Sequence, residues 1–204
     1  GEAWLLLGRQ REAARYYGLG RRASGQNYAS LASTRRQLKL LARFTPVDEE
    51  VLAALSIPPV VAFTGHMLDA PARKEPRFPP SSVEAVTGQI RAALDRLDAG
   101  IGYSSAACGS DVLFLECLQA RGGESNVVLP FDLQDFFGTS VNFAGQEWIR
   151  RTRAVLHGNV LIDQANRGSY GGDDLLFSYA NHMIMGKALL RSRVLETEAH
   201  LLAV

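Results

Sequence analysis

The sequence predicts an α/β fold: a Rossmann-like parallel sheet of about five strands flanked by helices, with a small all-α segment at the amino terminus. From residue 60 onward, short apolar runs alternate with helix-length amphipathic segments, an order typical of parallel strands joined by right-handed crossovers. Residues 1–57 show only helical spacing of apolar side chains. Pro58 and Pro59 separate the two regions, which predicts a helical segment at 1–57 and an α/β domain at 58–204.

Composition and charge narrow the class of protein. The chain has 204 residues, 47% of them hydrophobic, which is ample for a packed core. Its net charge of +1 argues against a nucleic-acid partner. Only Cys108 and Cys117 occur, so we expect no disulfide framework, no metal site and a cytoplasmic location. No apolar run approaches the ~20 residues of a membrane span, and both ends resemble cuts within a longer protein.

The amino-terminal segment is basic, with nine Lys and Arg against five Asp and Glu in residues 1–57. Its first helix begins near Glu2, and its second covers residues 28–43, with a cationic side formed by Arg35, Arg36, Lys39 and Arg43. That side is interpreted either as a solvated face or as a surface for a protein partner. A short helix at 48–55 precedes the proline pair.

The α/β domain is predicted to follow a regular order of elements. A proline-rich loop at 69–80 follows the first strand, and residues 132–145 are expected to form a surface loop, for which ligand contact and simple connection are both open. The predicted strands are 60–64, 101–105, 127–129, 160–162 and 201–204, and the predicted helices are 83–97, 111–120, 147–156 and 175–198.

Polar and small residues follow the first two strands, where the carboxyl ends of parallel strands meet and ligands bind. Their glycines let the backbone approach a ligand, and free N–H groups there can bind an anion. Pro130 and Phe131 end the third strand, and Asn181 on the long helix is within reach of the same edge. The ligand-binding candidates are therefore Thr64, Gly65, His66, Asp69, Cys108, Gly109, Ser110, Asp111, Pro130, Phe131 and Asn181.

No G-x-G-x-x-G or G-x4-G-K-[ST] motif is present, which disfavours a generic dinucleotide or ATP enzyme and implies no tightly bound cofactor. The catalytic candidates are His66, Asp111 and Glu116, whose side chains could act as acids or bases. Each has an alternative role. His66 could donate a hydrogen bond to phosphate or be a plain surface residue. Asp111 could accept hydrogen bonds from ribose hydroxyls or cap the helix, and Glu116 could be an ion-pair partner.

Three further interpretations are open. Ser110 could be the helix cap beside Asp111. Cys108 could be a nucleophile if its thiolate were stabilised, or a small packing residue. The cationic sequence Arg73-Lys74-x-x-Arg77 could fold over a polyphosphate or stay solvated.

Three motifs give the region 58–204 a resemblance to a known superfamily. They are Thr-Gly-His at 64–66, Ser-Ala-Ala-Cys-Gly-Ser-Asp at 105–111 and Val-Val-Leu-Pro-Phe at 127–131. Together they resemble the SLOG superfamily, which groups DprA-like DNA-processing proteins with the LOG phosphoribohydrolases. The resemblance implies a nucleotide or nucleotide derivative at the strand ends. The Pro-Gly-Gly-x-Gly-Thr-x-x-Glu motif of LOG enzymes has no match here and would follow Val204, so their hydrolysis does not carry over.

The segment Leu-Gly-x4-Ala-Ala-x-Tyr-Tyr at 7–17 is similar to the end of a tetratricopeptide repeat. The arrangement of this helical piece followed directly by a SLOG-like domain resembles that of bacterial signalling proteins that carry a TRAFs-binding-like helical region. We therefore expect a sensor of a nucleotide-derived molecule, with the helices contacting a protein partner. A nucleotide hydrolase acting on an N-glycosidic or phosphate bond and a non-catalytic scaffold are the alternatives. DNA binding is disfavoured because residues 58–204 carry thirteen basic against sixteen acidic side chains.

Overall fold

The computed structural model describes residues 1–71 and 73–204. By their internal contacts these residues divide into two compact units, one formed by Gly1–Pro58 and Arg193–Thr197, the other by Pro59–Ser192 and Glu198–Val204. None of the described helices is both long and apolar enough to cross a membrane.

The first unit is helical, with α1 at Glu2–Leu6, α2 at Gln10–Ser24, α3 at Tyr28–Leu41 and α4 at Glu49–Ala53. Helix α3 begins after Asn27, whose side-chain oxygen accepts a hydrogen bond from the Ser30 amide at 3.2 Å, as an N-cap residue should. On the cationic side of α3, Lys39 pairs with Glu196 and the Arg36 guanidinium donates to the Val194 carbonyl. Part of that side is therefore occupied within the unit.

The second unit is the predicted parallel sheet with helices on both faces. Its strands are β1 (Val60–Thr64), β2 (Ile101–Ser104), β3 (Glu124–Leu129), β4 (Val160–Gln164) and β5 (Ala199–Ala203), and its helices are α5 (Val83–Arg96), α6 (Ser110–Ala120), α7 (Leu133–Ser140), α8 (Gln146–Leu156) and α9 (Leu175–Leu195). All strand pairs are parallel, in the order β4-β3-β2-β1-β5. The chain steps outward from β1 to β4 and then returns to pair β5 with β1.

The two faces of the sheet are covered differently. On one face Phe63 of β1 stacks on Phe114 of α6, with ring centroids 4.5 Å apart, inside a buried cluster that includes Val127 and Leu129. On the other face Glu124 of β3 pairs with Arg191 of α9 at 3.0 Å. Glu124 is in register with Ile101, and Ile101 with Val60, so Glu124 points to the same face as Val60. Because successive residues of a strand alternate between faces, Val60 and Phe63 point to opposite faces, and α6 and α9 lie on opposite sides of the sheet. The return crossover through α9 therefore places the topological switch between β1 and β5.

The predicted loop after the third strand is wrong, because residues Leu133–Ser140 form the helix α7. The Asp132 side chain caps this helix by accepting a hydrogen bond from the Asp135 amide at 3.0 Å. Phe136 is buried beneath it, and the Thr139 hydroxyl donates back to the Asp135 carbonyl at 3.0 Å. A capped turn with one buried aromatic is sufficient to form a helix in this context.

Several predicted element ends shift by a few residues. Strand β3 begins at Glu124 rather than 127, since its charged first residue is paired with Arg191 and can be buried. Strand β4 continues to Gln164, β5 begins at Ala199, and α9 ends at Leu195 rather than 198. At that end Glu196 has a φ of 53°, a left-handed conformation that stops a helix.

Candidate functional site

A cavity of about 230 Å³ opens at the carboxyl ends of β1, β2 and β3, next to the first turns of α9. This is the edge at which parallel α/β sheets bind ligands. The cavity is bounded by the ends of three strands, by α7 and by α9. Its lining residues are Phe63, Thr64, Gly65, Met67, Ser105, Ala107, Asp111, Pro130, Phe136, Ser140, Phe177, Ala180 and Asn181.

Five of the sequence-predicted ligand residues line this cavity: Thr64, Gly65, Asp111, Pro130 and Asn181. They come from β1, the first turn of α6, the end of β3 and α9. Residues distant in sequence thus converge because the parallel strands end at one edge.

Asp111 is the ionisable group at the floor of the cavity. Its side chain is buried and accepts a hydrogen bond from the Ala107 amide at 3.3 Å. Burial raises the pKa of the Asp111 carboxyl to about 7, because the charged form loses its hydration, and the Ala107 amide offsets this only in part. Near neutral pH the carboxyl can therefore either accept or donate a hydrogen bond to a bound molecule.

Gly109 and Ser110 lie behind the cavity wall and hold the two strand-end turns together. The Ser110 amide and hydroxyl both donate to the His66 carbonyl, at 3.2 and 2.8 Å. Gly109 caps α6 with a φ of 112° and forms a bridge with Met67. The predicted capping role therefore belongs to Gly109 rather than to Ser110, which is the first residue of the helix.

Cys108 is fully buried between the same turns. Its carbonyl accepts the Leu68 amide at 3.0 Å, and its own amide donates to the Ser140 carbonyl at 2.9 Å. Burial raises the pKa of the Cys108 thiol to about 12, which leaves almost no thiolate at neutral pH. The residue packs the turn and is not an activated nucleophile.

Phe131 supports the cavity from outside. It is buried, and its ring centroid lies 4.8 Å from that of Tyr170 and 5.4 Å from that of Phe177. Through this edge-to-face contact Phe131 fixes the orientation of Phe177, which does line the cavity.

His66 and Asp69 are not among the residues that line this cavity. His66 is exposed and lines a neighbouring cavity together with Arg73 and Arg77. The Asp69 carboxylate accepts the amides of Arg77 and Phe78, at 3.0 and 2.9 Å, and so closes the loop that follows β1. The structure thus gives Asp69 a loop-closing role and places His66 and Asp111 in the linings of different cavities.

Glu116 lies on α6, where its carboxylate forms a two-pronged ion pair with the Arg151 guanidinium at 2.8 and 2.6 Å. The Arg151 guanidinium also lies 4.4 Å from the Trp148 ring centroid. Glu116 is absent from the residues that line the cavity. The ion-pair interpretation therefore explains why a carboxylate lies on this largely apolar helix.

We expect Glu116→Gln to lower the free energy of unfolding by about 1 kcal/mol or less, because ion pairs near solvent contribute little. The side chains of Glu116 and Arg151 are 34% and 22% exposed. Urea unfolding at neutral pH would measure the change, with Glu84→Gln on the exposed start of α5 as control. A loss above ~3 kcal/mol would mean that the pair behaves as a buried one.

Several lining residues were not predicted from the sequence. Ser105 and Ala107 lie within the second motif, where the sequence could have indicated them. Phe136 and Ser140 fall in the region 132–145, which apolar spacing predicts to be a loop that either contacts ligand or only connects two elements. Only the Asp132-x-x-Asp135 capping pattern indicates the helix that carries them. Phe177 and Ala180 reach the site through the return of α9, which no local pattern specifies.

A larger cavity, of about 860 Å³, lies between α7 and α8 and is lined by Phe137, Arg150 and Arg153, among others. It is an open groove that contains neither a carboxyl group nor a strand end. The strand-end cavity is the stronger candidate because it contains the buried Asp111. Within the described residues, no group of three or more His, Cys, Asp and Glu side chains could hold a metal ion.

Comparison with protein-family models gives no match, and comparison with curated proteins gives no significant one.

Proposed function

We propose that the α/β unit binds a nucleotide-derived small molecule in the strand-end cavity and acts as a sensor rather than as an enzyme. The observation that carries this proposal is the combination of aromatic walls with a few polar groups in one cavity. Phe136, which is buried, and Phe177, which is partly exposed, form apolar walls for a base, while Asp111 and Asn181 offer hydrogen bonds for a base edge or a ribose.

The location of the cavity supports the same proposal. It lies at the carboxyl ends of the strands, beside the switch between β1 and β5, where open α/β sheets bind their ligands. The SLOG-like motifs contribute Thr64, Gly65, Asp111 and Pro130 to its lining. An open cavity with these groups favours ligand binding over a vestigial scaffold. In this proposal the helices of residues 1–57 contact a protein partner in a bacterial cytoplasmic signalling protein.

Asn181→Ala is expected to weaken binding of the preferred ligand about tenfold, since losing one hydrogen bond costs ~1.4 kcal/mol. Isothermal titration would use the four ribonucleosides, their mono- and diphosphates, cyclic mononucleotides and ADP-ribose as the panel. His182→Ala is the matched control, because His182 is the next residue on α9 and does not line the cavity. Absence of binding across the whole panel would refute the proposal.

A hydrolase that cleaves an N-glycosidic bond is the second candidate, favoured by one observation. The raised pKa of Asp111 lies near the value that suits a general base at neutral pH. In that reaction water would form the new bond to the ribose carbon as the bond from that carbon to the nucleobase nitrogen breaks. The Asp111 carboxylate would take a proton from the water and then pass it to the departing nucleobase. Turnover of any panel compound that is lost in Asp111→Asn and kept in Glu116→Gln would favour this candidate over a sensor.

A further inference from the structure

A second cavity adjoins the strand-end cavity and has the opposite electrostatic character. It has a volume of about 280 Å³ and lies under the loop that follows β1. His66, Arg73 and Arg77 supply its charged and hydrogen-bonding groups, and its lining among the described residues includes no carboxylate. Its remaining lining residues are Met67, Leu68, Ala70 and Phe143. Cationic side chains of this kind bind phosphate through charge-assisted hydrogen bonds.

The two cavities share one wall. Met67 lines both, Gly65 lines the first, and His66 lines the second. Consecutive Cα atoms are ~3.8 Å apart, so the chain passes from one cavity to the other within a single residue step. The two cavities therefore meet at the turn formed by residues 65–67.

The two ends of the loop that carries the cations are held together by hydrogen bonds between Asp69 and residues 77–78. Besides accepting two loop amides, Asp69 donates its own amide to the Phe78 carbonyl at 2.9 Å, and Phe78 is buried. The Arg73 side chain lies 3.4 Å from the Asp69 carboxylate and donates to the Glu75 carbonyl, so its charge is partly compensated. Among the described residues the Arg77 guanidinium forms no ion pair, which leaves it available to an anion.

The size of each cavity also points to joint use. Each volume is below the ~300 Å³ at which pockets for small molecules usually begin, and the two together exceed it. The charge distribution determines how a ligand that occupies both cavities would be oriented. A phosphate beside the Asp111 carboxyl would be repelled whenever that group is ionised, whereas a phosphate beside Arg77 would be attracted.

We propose that the two cavities form one bipartite site, in which the strand-end cavity holds the nucleoside and the cavity beside Arg77 holds its phosphate groups. The proposal rests on the proposed function and narrows the ligand class to nucleosides that carry phosphate. Met67 lies at the junction, and His66 donates to phosphate instead of acting as a catalytic acid.

Isothermal titration can separate the two halves of this site. For the preferred base we expect the diphosphate to bind the wild-type protein at least tenfold more tightly than the nucleoside. Arg77→Gln is expected to abolish that gain and to leave nucleoside affinity unchanged. Lys74→Gln is the matched control, since it removes the same charge from the same loop at a residue that does not line the cavity.

Each alternative result has a distinct meaning. Nucleoside binding that phosphate does not strengthen, or a gain that survives Arg77→Gln, would overturn the bipartite site and leave the proposed function standing. Binding of inorganic pyrophosphate alone, with no nucleoside or nucleotide bound, would overturn both proposals, because the cation-lined cavity would then work without its neighbour. Circular dichroism of each variant would exclude unfolding as the cause of lost binding.

Discussion

Replacing Gly109 with alanine is expected to lower the free energy of unfolding by about 4 kcal/mol and to abolish ligand binding. At φ 112° and ψ −133°, a residue with a side chain carries backbone strain of ~1–3 kcal/mol. The added Cβ would also lie 2.6 Å from the Leu68 amide nitrogen and 2.9 Å from the His66 carbonyl oxygen. These are backbone atoms of the neighbouring turn, so the clash adds ~1–3 kcal/mol of overpacking.

Urea unfolding and isothermal titration would measure both effects of Gly109→Ala. The matched control is Gly88→Ala in the middle of α5, where an added Cβ meets nothing within 4 Å. That control should stabilise the protein by ~0.5–1 kcal/mol, because alanine favours a helix over glycine. If Gly109→Ala lost less than ~1 kcal/mol and kept its ligand, the two strand-end turns would not need their close contact.

The sheet could be predicted because β1 and the second half of β3 are continuous apolar runs between helix-length segments. The run Val60–Phe63 is almost wholly buried, and such runs between amphipathic helices are typical of parallel strands. Helix α7 could not be predicted from apolar spacing, since Gly138, Thr139 and Ser140 occupy its last turn. Its formation depends on the Asp132 cap and on the burial of Phe136, and the second of these is a tertiary effect.

The site was predictable only as far as strand ends determine it. The sequence placed Thr64, Gly65 and Asp111 at one edge of the sheet, because parallel strands present their carboxyl ends together. It could not distinguish residues that face the cavity from those that join the turns behind it. Ser110 and Cys108 belong to the second group, since their hydrogen bonds go to the neighbouring turn and to α7.

Asp111→Asn is expected to change how the stability of the protein depends on pH. The pKa of Asp111 is about 7 in the folded state against 3.8 for an ordinary aspartate. Between about pH 4 and pH 7 the folded protein holds a proton that the unfolded chain has released. Stability should therefore fall as pH rises through this window, by roughly 4 kcal/mol in total at ~1.4 kcal/mol per unit of pKa shift.

Asparagine cannot ionise, and its side-chain oxygen can still accept the Ala107 amide. We therefore expect Asp111→Asn to raise the free energy of unfolding by up to ~4 kcal/mol at pH 8 and to change it little at pH 4. Urea unfolding at both pH values would test this, with Glu84→Gln on the exposed start of α5 expected to keep the wild-type slope. Equal effects of Asp111→Asn at both pH values would mean that Asp111 is not the group that titrates. Because this carboxyl lines the cavity floor, a confirmed slope would also measure the stability that the fold gives up to keep an ionisable group at its candidate binding site.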